Sequence, residues 1–548
     1  MRWNVYILAL IIIHVFGQVG FGQNSDLVVE GEVEDAEIVI EKDRQIKLKK
    51  EVKLYEFIKY QPDREVLSIE EDRFQTFDYD LVLEPIALRA PISTAKNKEI
   101  SYHQYAKFGF GNYGSPIADV SITVPGATNT IAGVNYKHLS FSKGEIDGEN
   151  SASSFNEVTA FGMVVYDKIK IRPQLTYQND KNYWFGYPES TVVNREDIKR
   201  ANNYIDFGVD FSDNNATDNW SYDWSLLLNS FKDNWLNNEN TFSVIGQTSF
   251  NQKFFLENDV KFAKYENDLS VSRLYYRMLP YYRFDLGDAR LSIGLSISGH
   301  DDDNPFSTDL KFFPYLNASL PLTDSFEAFA SLDGGIEYNS MYSLAQMAPY
   351  VNEEFMILNT ENKLDLTGGV RGKLSEKISV QGKVNYQSKT NMPVLINNFV
   401  DPSRLDIIYD TGTVGILNLG VSSKLSLSEN HEIGMTFDFY NYSPEVLPQV
   451  YHRPTTELKI KGNHIFFEKL SYQWQFALKS GIKAFDPNVD VEVTLDPIPK
   501  LDMMVHYQIT DRLGAFISGD NIIGQNYSEY LFYPQRGIMF RLGASYRF

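Results

Sequence analysis

From Tyr102 to the last residue the chain alternates between apolar and polar positions. Trp220, Tyr222, Trp224, Leu226 and Leu228 share one parity, with Ser221, Asp223 and Ser225 between them. Ile378, Val380, Gly382, Val384 and Tyr386 alternate with Ser379, Gln381, Lys383, Asn385 and Gln387. Leu470, Tyr472, Trp474, Phe476 and Leu478 oppose Ser471, Gln473, Gln475 and Lys479. The final stretch places Ile538, Phe540, Leu542, Ala544, Tyr546 and Phe548 on one face and Met539, Arg541, Gly543, Ser545 and Arg547 on the other. A period of two is the mark of a β-strand with two unlike faces. The stretches run to about ten residues, which a tilted strand needs to cross a bilayer. Strands of soluble proteins are more often about five or six residues long. The pattern predicts strands with an apolar face to lipid and a polar face to a lumen.

The connections sort into two classes. Short turns rich in hydroxyl and acidic residues stand at LTDS (322–325), LSEK (374–377), LSEN (427–430), FEKL (467–470) and TDRL (510–513). Less tidy members of the series fall near Gly126, Asp167, Asn215, Gln252 and Asp288. Longer polar segments stand between them, such as GEIDGENSASS (144–154), PESTVVNREDIKR (188–200), HDDDNP (300–305) and DPNVD (486–490). Ten short turns on one side and long loops on the other predict an all-β transmembrane antiparallel barrel of about 22 strands. Both ends of the barrel then lie on the short-turn side, and the last strand closes against a first strand at Tyr105–Asn112. Closure leaves no unpaired edge for the bilayer to penalise.

The N-terminal region has another texture. Met1-Arg2 and the apolar run VYILALIIIHVF (5–16), followed by GFGQ, predict a signal peptide over 1–22 with cleavage near Gln23. Residues 23–100 open acidic and carry Pro85 and Pro91, reading as an extended periplasmic segment or a small exported domain. A wide barrel needs something in its lumen. The segment is long enough to enter it, so occlusion by this segment, alone or with a partner's domain, is one expectation. The other is a periplasmic tether, with long folded-in loops filling the lumen. Residues 101–548 form the barrel.

Composition narrows the chemistry. The chain of 548 residues has no cysteine, so neither a disulfide framework nor a lipid-bearing cysteine is available. A formal net charge of −21 disfavours nucleic acid as a partner. The histidines are scattered and no nucleophile-elbow or zinc spacing occurs, so no catalytic, cofactor or metal site is expected and the chain reads as a non-enzyme. Asp301, Asp302, Asp303 and Asn304 could offer oxygens to calcium but lack the spacing of a calcium loop, which favours a solvated loop. The aromatic clusters LYYRMLPYYRF (274–284) and YSEYLFY (527–533) read first as girdle residues at the membrane interface, and second as stacking surfaces for sugars or peptides.

The C-terminal stretch 519–548 resembles the last hairpin of TonB-dependent outer-membrane receptors. It carries Asp520-Asn521 after a strand, then Tyr527, Tyr530 and Tyr533, Pro534 to Gly537, and the closing Gly543, Tyr546 and Phe548. AKFGFGNYGSPIADVSI (106–122) is similar to the barrel start of a receptor-like family of Bacteroidetes outer membranes. The sequence departs from those receptors in having no full plug domain before the barrel. The resemblance implies a TonB box, which would fall at Asp26, Leu27, Val28, Val29 and Glu30, or at AEIVIEK (36–42). It implies a bacterial outer-membrane receptor or channel for nutrient uptake, with membrane lipid and a TonB-type protein as partners. The alternative is a non-transporting barrel subunit of an envelope assembly; a plug-supplying protein is a further candidate partner.

Overall fold

The computed structural model describes residues 104–548, apart from positions 126–129, 145, 167–168, 189–190, 214–218, 267–269, 302–309, 429 and 468. The signal peptide, the N-terminal segment with Asp26–Glu30, and most of the 300–305 cluster lie outside the described residues.

Twenty-two antiparallel strands pair with their neighbours in chain order, and the first, Gln104–Gly111, pairs with the last, Met539–Arg547. The barrel is closed. Seven register pairs from Tyr105↔Arg547 to Gly111↔Arg541 make the closing seam. The first strand ends one residue earlier than the sequence suggests. Asn112 opens a short 3-10 turn, yet its side chain extends the seam, donating to Ile538 O at 2.8 Å and accepting from Phe540 N at 2.8 Å.

The strand ends flanking all ten anticipated short turns lie at one rim, together with the start of the first strand and the end of the last; Gly126, Asp167 and Asn215 themselves lie outside the described residues. Their chemistry recurs. Thr323 Oγ1 accepts from Ser325 N at 3.2 Å, Ser375 Oγ from Lys377 N at 3.3 Å, Ser428 Oγ from Asn430 N at 3.3 Å and Thr510 Oγ1 from Arg512 N at 3.3 Å. A hydroxyl that accepts from the second N–H after it holds the chain in a turn without help from the rest of the fold. Asn251 and Gln252 reach the same end differently, with φ of 54° and 55° in the three-residue connection 251–253, where Lys253 N donates to Phe250 O at 3.1 Å.

Facing follows the alternation. Phe108, Phe110, Phe540, Leu542, Tyr546 and Phe548 are exposed on the outer wall, and Trp220, Leu226 and Leu228 lie on the same surface. Trp474 and Phe476 pair across the sheet with Gly462 and Ile460, and with Met503 and Leu501, all on the outer face. The Trp474 ring lies over Gly462, leaving no room for a Cβ there, and its Nε1 donates to His464 Nε2 at 3.2 Å. Lys383, Asn385, Gln387, Gln473 and Gln475 line the lumen, where Asn385 lies opposite Asn418, Gln387 opposite Asp365, Gln473 opposite Asn463 and Gln475 opposite Lys461. At the seam the lumen side carries a buried ion pair, Arg541 Nη1 to Asp520 Oδ2 at 2.5 Å.

Candidate functional site: a capped lumen

Eleven connections lie at the rim opposite the short turns. The longest, residues 338–359, joins the thirteenth strand, Phe326–Glu337, to the fourteenth, Thr360–Ser375, and holds a short helix, Met341–Ala345. Instead of standing out from the wall it folds over the mouth. Met341 N donates to Glu239 Oε2 at 2.8 Å and the Tyr342 hydroxyl to Asp206 Oδ2 at 2.9 Å, both on lumen-facing positions of strands far around the barrel. Arg200 Nη1, on the sixth strand, Lys199–Asp213, donates to the carbonyls of Ala345, Ala348 and Pro349 at 3.2–3.3 Å.

Two more loops meet it. Trp184 Nε1, just after the fifth strand, donates to Tyr350 O at 3.0 Å. Tyr533, in the loop 521–538 before the last strand, stacks on Tyr350 with ring centroids 3.5 Å apart and meets Phe185 edge-on at 4.9 Å. Its hydroxyl donates to Ser403 O. These three loops start about a third of the perimeter apart. With strands ~4.8 Å apart and tilted by ~40°, 22 of them make a barrel roughly 40 Å across. Side chains rooted so far apart touch only if the loops converge over the lumen.

What they enclose is a hydrophobic core. Trp184, Tyr204, Phe231, Met341, Leu344, Val351, Ile357, Val394, Leu405 and Tyr533 form one contiguous buried cluster with their neighbours. Burial marks its polar members. The Tyr350 hydroxyl is pushed up to about 12 and that of Tyr533 well above its ordinary value. His452, bonded to Asn397 Oδ1 at 3.1 Å and facing Tyr530, is pushed down to about 4 by desolvation. Arg536 lies over Phe141 at 4.1 Å and donates to Ser151 O at 2.6 Å, tying loop 521–538 to the loop after the third strand. Burial pulls its guanidinium down to about 10.

Below the cap, on the wall of strands eight to fourteen, the lumen holds a polar cavity of about 350 Å³. Glu257, Asp259, Lys261, Tyr275, Arg277, Asp333, Glu337, Asn362 and Asp365 are among its lining residues. Lys261 Nζ contacts both oxygens of Asp259 at 2.5 and 2.6 Å, and Arg277 Nη2 both oxygens of Asp333 at 3.2 and 3.1 Å. Asp365 accepts from Asn385 Nδ2 at 2.6 Å and Gln387 Nε2 at 2.7 Å.

Solved structures with this architecture are known. The FrpB iron transporter from Neisseria meningitidis superposes with a TM-score of 0.65 over 83% of this chain and 82% of that one, at 9% identity. The fold is shared with iron and siderophore receptors. FpvA of Pseudomonas aeruginosa, solved with a heterologous pyoverdine, gives 0.60 over 82% and 72% at 11% identity. The siderophore receptor PirA of the same organism gives 0.56 over 82% and 81% at 10% identity. No protein-family model and no curated protein matches the sequence.

In this barrel the residues that carry the terminal resemblance do structural work. Asp520 holds Arg541. Asn521, at φ 49°, turns the chain into the loop, takes its N–H to Asp502 Oδ1 at 2.8 Å and reaches Arg536 O at 3.1 Å. YSEYLFY is not a membrane girdle, because Tyr527, Tyr530 and Tyr533 are buried on the loop side. LYYRMLPYYRF divides by parity: Tyr276 and Tyr282 sit on the outer wall, while Tyr275 and Tyr281 line the lumen. Of the acidic cluster at 300–305, His300 and Asp301 are described. Asp301 Oδ1 accepts the N–H of Leu274, and His300 Nδ1 contacts Asn359 at 2.6 Å. Among the described residues no three His, Asp or Glu side chains gather as metal ligands.

Proposed function

We propose that this chain is an outer-membrane receptor for nutrient uptake, placed with its short turns in the periplasm and its cap facing outward. The supporting observation is the closed 22-strand barrel with an apolar outer wall and a polar lumen, superposable over four-fifths of the chain on an iron transporter and siderophore receptors. A barrel this wide leaks unless it is obstructed. The loop cap is suited to be the outer gate, and residues 23–100 to contribute obstruction from the periplasmic side. Energy would come from a TonB-type protein engaging Asp26–Glu30. Transport needs no bond chemistry, so no enzymatic role is assigned.

Orientation is tested on intact cells with single cysteines in this cysteine-free background. A cysteine at Val192, 99% exposed, should react with an impermeant reagent and one at Glu376 should not. Coupling is tested by purification in mild detergent. A TonB-type protein should co-purify with the full chain and be lost when residues 26–30 are deleted. A stable large envelope complex without such a protein overturns the uptake reading in favour of a docking subunit. Deleting 24–95 behind an intact signal peptide should raise conductance in planar bilayers. Unchanged conductance with normal folded barrel would leave obstruction to the cap.

A further inference from the structure

The cavity beneath the cap has an uneven charge balance. Its carboxylates are Glu257, Asp259, Asp333, Glu337 and Asp365. Lys261 pairs with Asp259, Arg277 with Asp333, and Lys389, from the fifteenth strand, with Glu337 at 2.6 Å. Three cations thus face five carboxylates: Glu257 takes a hydrogen bond from Tyr281 and only a share of the Arg277 field, and Asp365 is held by the neutral amides of Asn385 and Gln387. Two carboxylates remain, a formal charge of −2 in a site partly shielded from water. An anionic solute would have to enter against that field, with no unmatched cation to receive it.

A second observation concerns Asn362. It lines the same cavity at 8% exposure, on the lumen-facing side opposite Lys389, and its Oδ1 has no hydrogen-bond partner. A buried carbonyl oxygen left unpaired costs about 1–3 kcal/mol, and a ligand N–H would relieve that cost. One ring belongs to the wall. Tyr275 already carries the Lys261 ammonium over its face at 5.1 Å. Faces of this kind favour cations.

We propose that this cavity binds a small organic cation rich in N–H groups, of the polyamine class, as the cargo or a co-ligand of the barrel. The donor set argues against a bare metal ion, because its carboxylates do not gather as ligands around one point. A cavity of about 350 Å³ suits a short chain better than a bulky chelate. Two ammonium groups could engage Glu257 and Asp365, with a further N–H to Asn362 Oδ1. This assignment deepens the uptake reading by naming a solute class, although binding itself requires neither transport nor a partner.

The test uses the full-length protein in detergent and isothermal titration calorimetry, with spermidine as the probe and citrate as the anionic control. Spermidine should bind saturably, and Glu257→Gln and Asp365→Asn should each weaken it about 10- to 100-fold, as expected for loss of one charge-assisted hydrogen bond. Glu266→Gln on the outer wall should leave the affinity unchanged and so reports non-specific attraction to an acidic protein. The heat-modifiable gel shift of a folded barrel checks each variant. If Asp365→Asn misfolds through loss of its bonds to Asn385 and Gln387, the near-isosteric Glu257→Gln decides alone. Absence of spermidine binding, tighter binding of citrate, or equal losses in Glu266→Gln overturns the proposal. Spermidine binding without a TonB-type partner would leave the cavity assignment standing and remove the uptake reading. A partner without spermidine binding would do the reverse.

Discussion

At one rim of the barrel ten connections of two to six residues turn the chain back on itself, several with a single hydroxyl accepting a nearby N–H. At the other rim eleven connections of up to 22 residues are available, and three of them leave the wall to meet over the lumen. The first rim is built from local interactions, each complete within a few residues. The second depends on contacts such as Tyr533 with Tyr350 and Trp184 with Tyr350, between residues 183 and 166 apart in the chain. Local turns fix strand register and nothing more. The convergent loops can form only after the wall exists, and they can come apart while it persists. A gate needs that independence.

The largest effect should come from removing the ring at the centre of the cap. Tyr533→Ala should cost about 3–5 kcal/mol of cap stability, typical of deleting a buried aromatic side chain. Hydrogen exchange should speed up in loops 338–359 and 521–538 while strand amides keep their protection. Equal loss in both would show that cap and wall are one cooperative unit, and the contrast between the rims would fail. The next effect belongs to the wall. Trp474→Arg on the outer face should cost about 2–4 kcal/mol in refolding, and Gln475→Arg on the lumen face little. Equal losses would contradict the facing.

A smaller effect should follow pH. His452 is held down to about 4 in the cap, against about 6.5 when exposed. The depressed value means that the open cap takes up a proton where the closed one does not. Cap stability should therefore be independent of pH above about 6.5, fall as pH drops toward 4, and level off below. Limited proteolysis of the loops across this window reads it, and His452→Gln should flatten the profile. A cap that tightens on acidification would reverse the sign. The smallest effect should be at the short-turn rim. Thr323→Val and Thr510→Val each lose a turn hydrogen bond worth about 0.5–1.5 kcal/mol, without change in cap protection.

The same contrast explains what could be read from the sequence. A strand's facing is written in its own alternation, and a hydroxyl turn in four residues, so the strand count, the ten turns and the closing pair were all legible. Trp474 facing out and Gln475 facing in needed no tertiary information. The cap was not legible, because the pattern of YSEYLFY is the same for a girdle as for a loop core. Only the path of loop 521–538 over the mouth separates the two. The cavity was hidden for another reason. Glu257, Arg277, Asp333, Asn362 and Asp365 come from four strands and form a single lining only because the wall curves. No short motif contains them. Asp26–Glu30 remains a reading of sequence alone.

The closing seam has a consequence for how such a chain is made. Twenty-one of the 22 strand junctions are joined by covalent connections, so each pair can zip as soon as its hairpin exists. The remaining junction joins Gln104–Gly111 to Met539–Arg547, more than four hundred residues later. Contacts of such long sequence separation form last, after the entropy of every intervening segment has been spent. Until the final strand arrives, the sheet has two bare edges, which lipid would penalise. The barrel therefore cannot close until the whole chain is present. The Arg541–Asp520 pair and the Asn112 side-chain bridge then act as the latch on the one joint that no peptide bond secures.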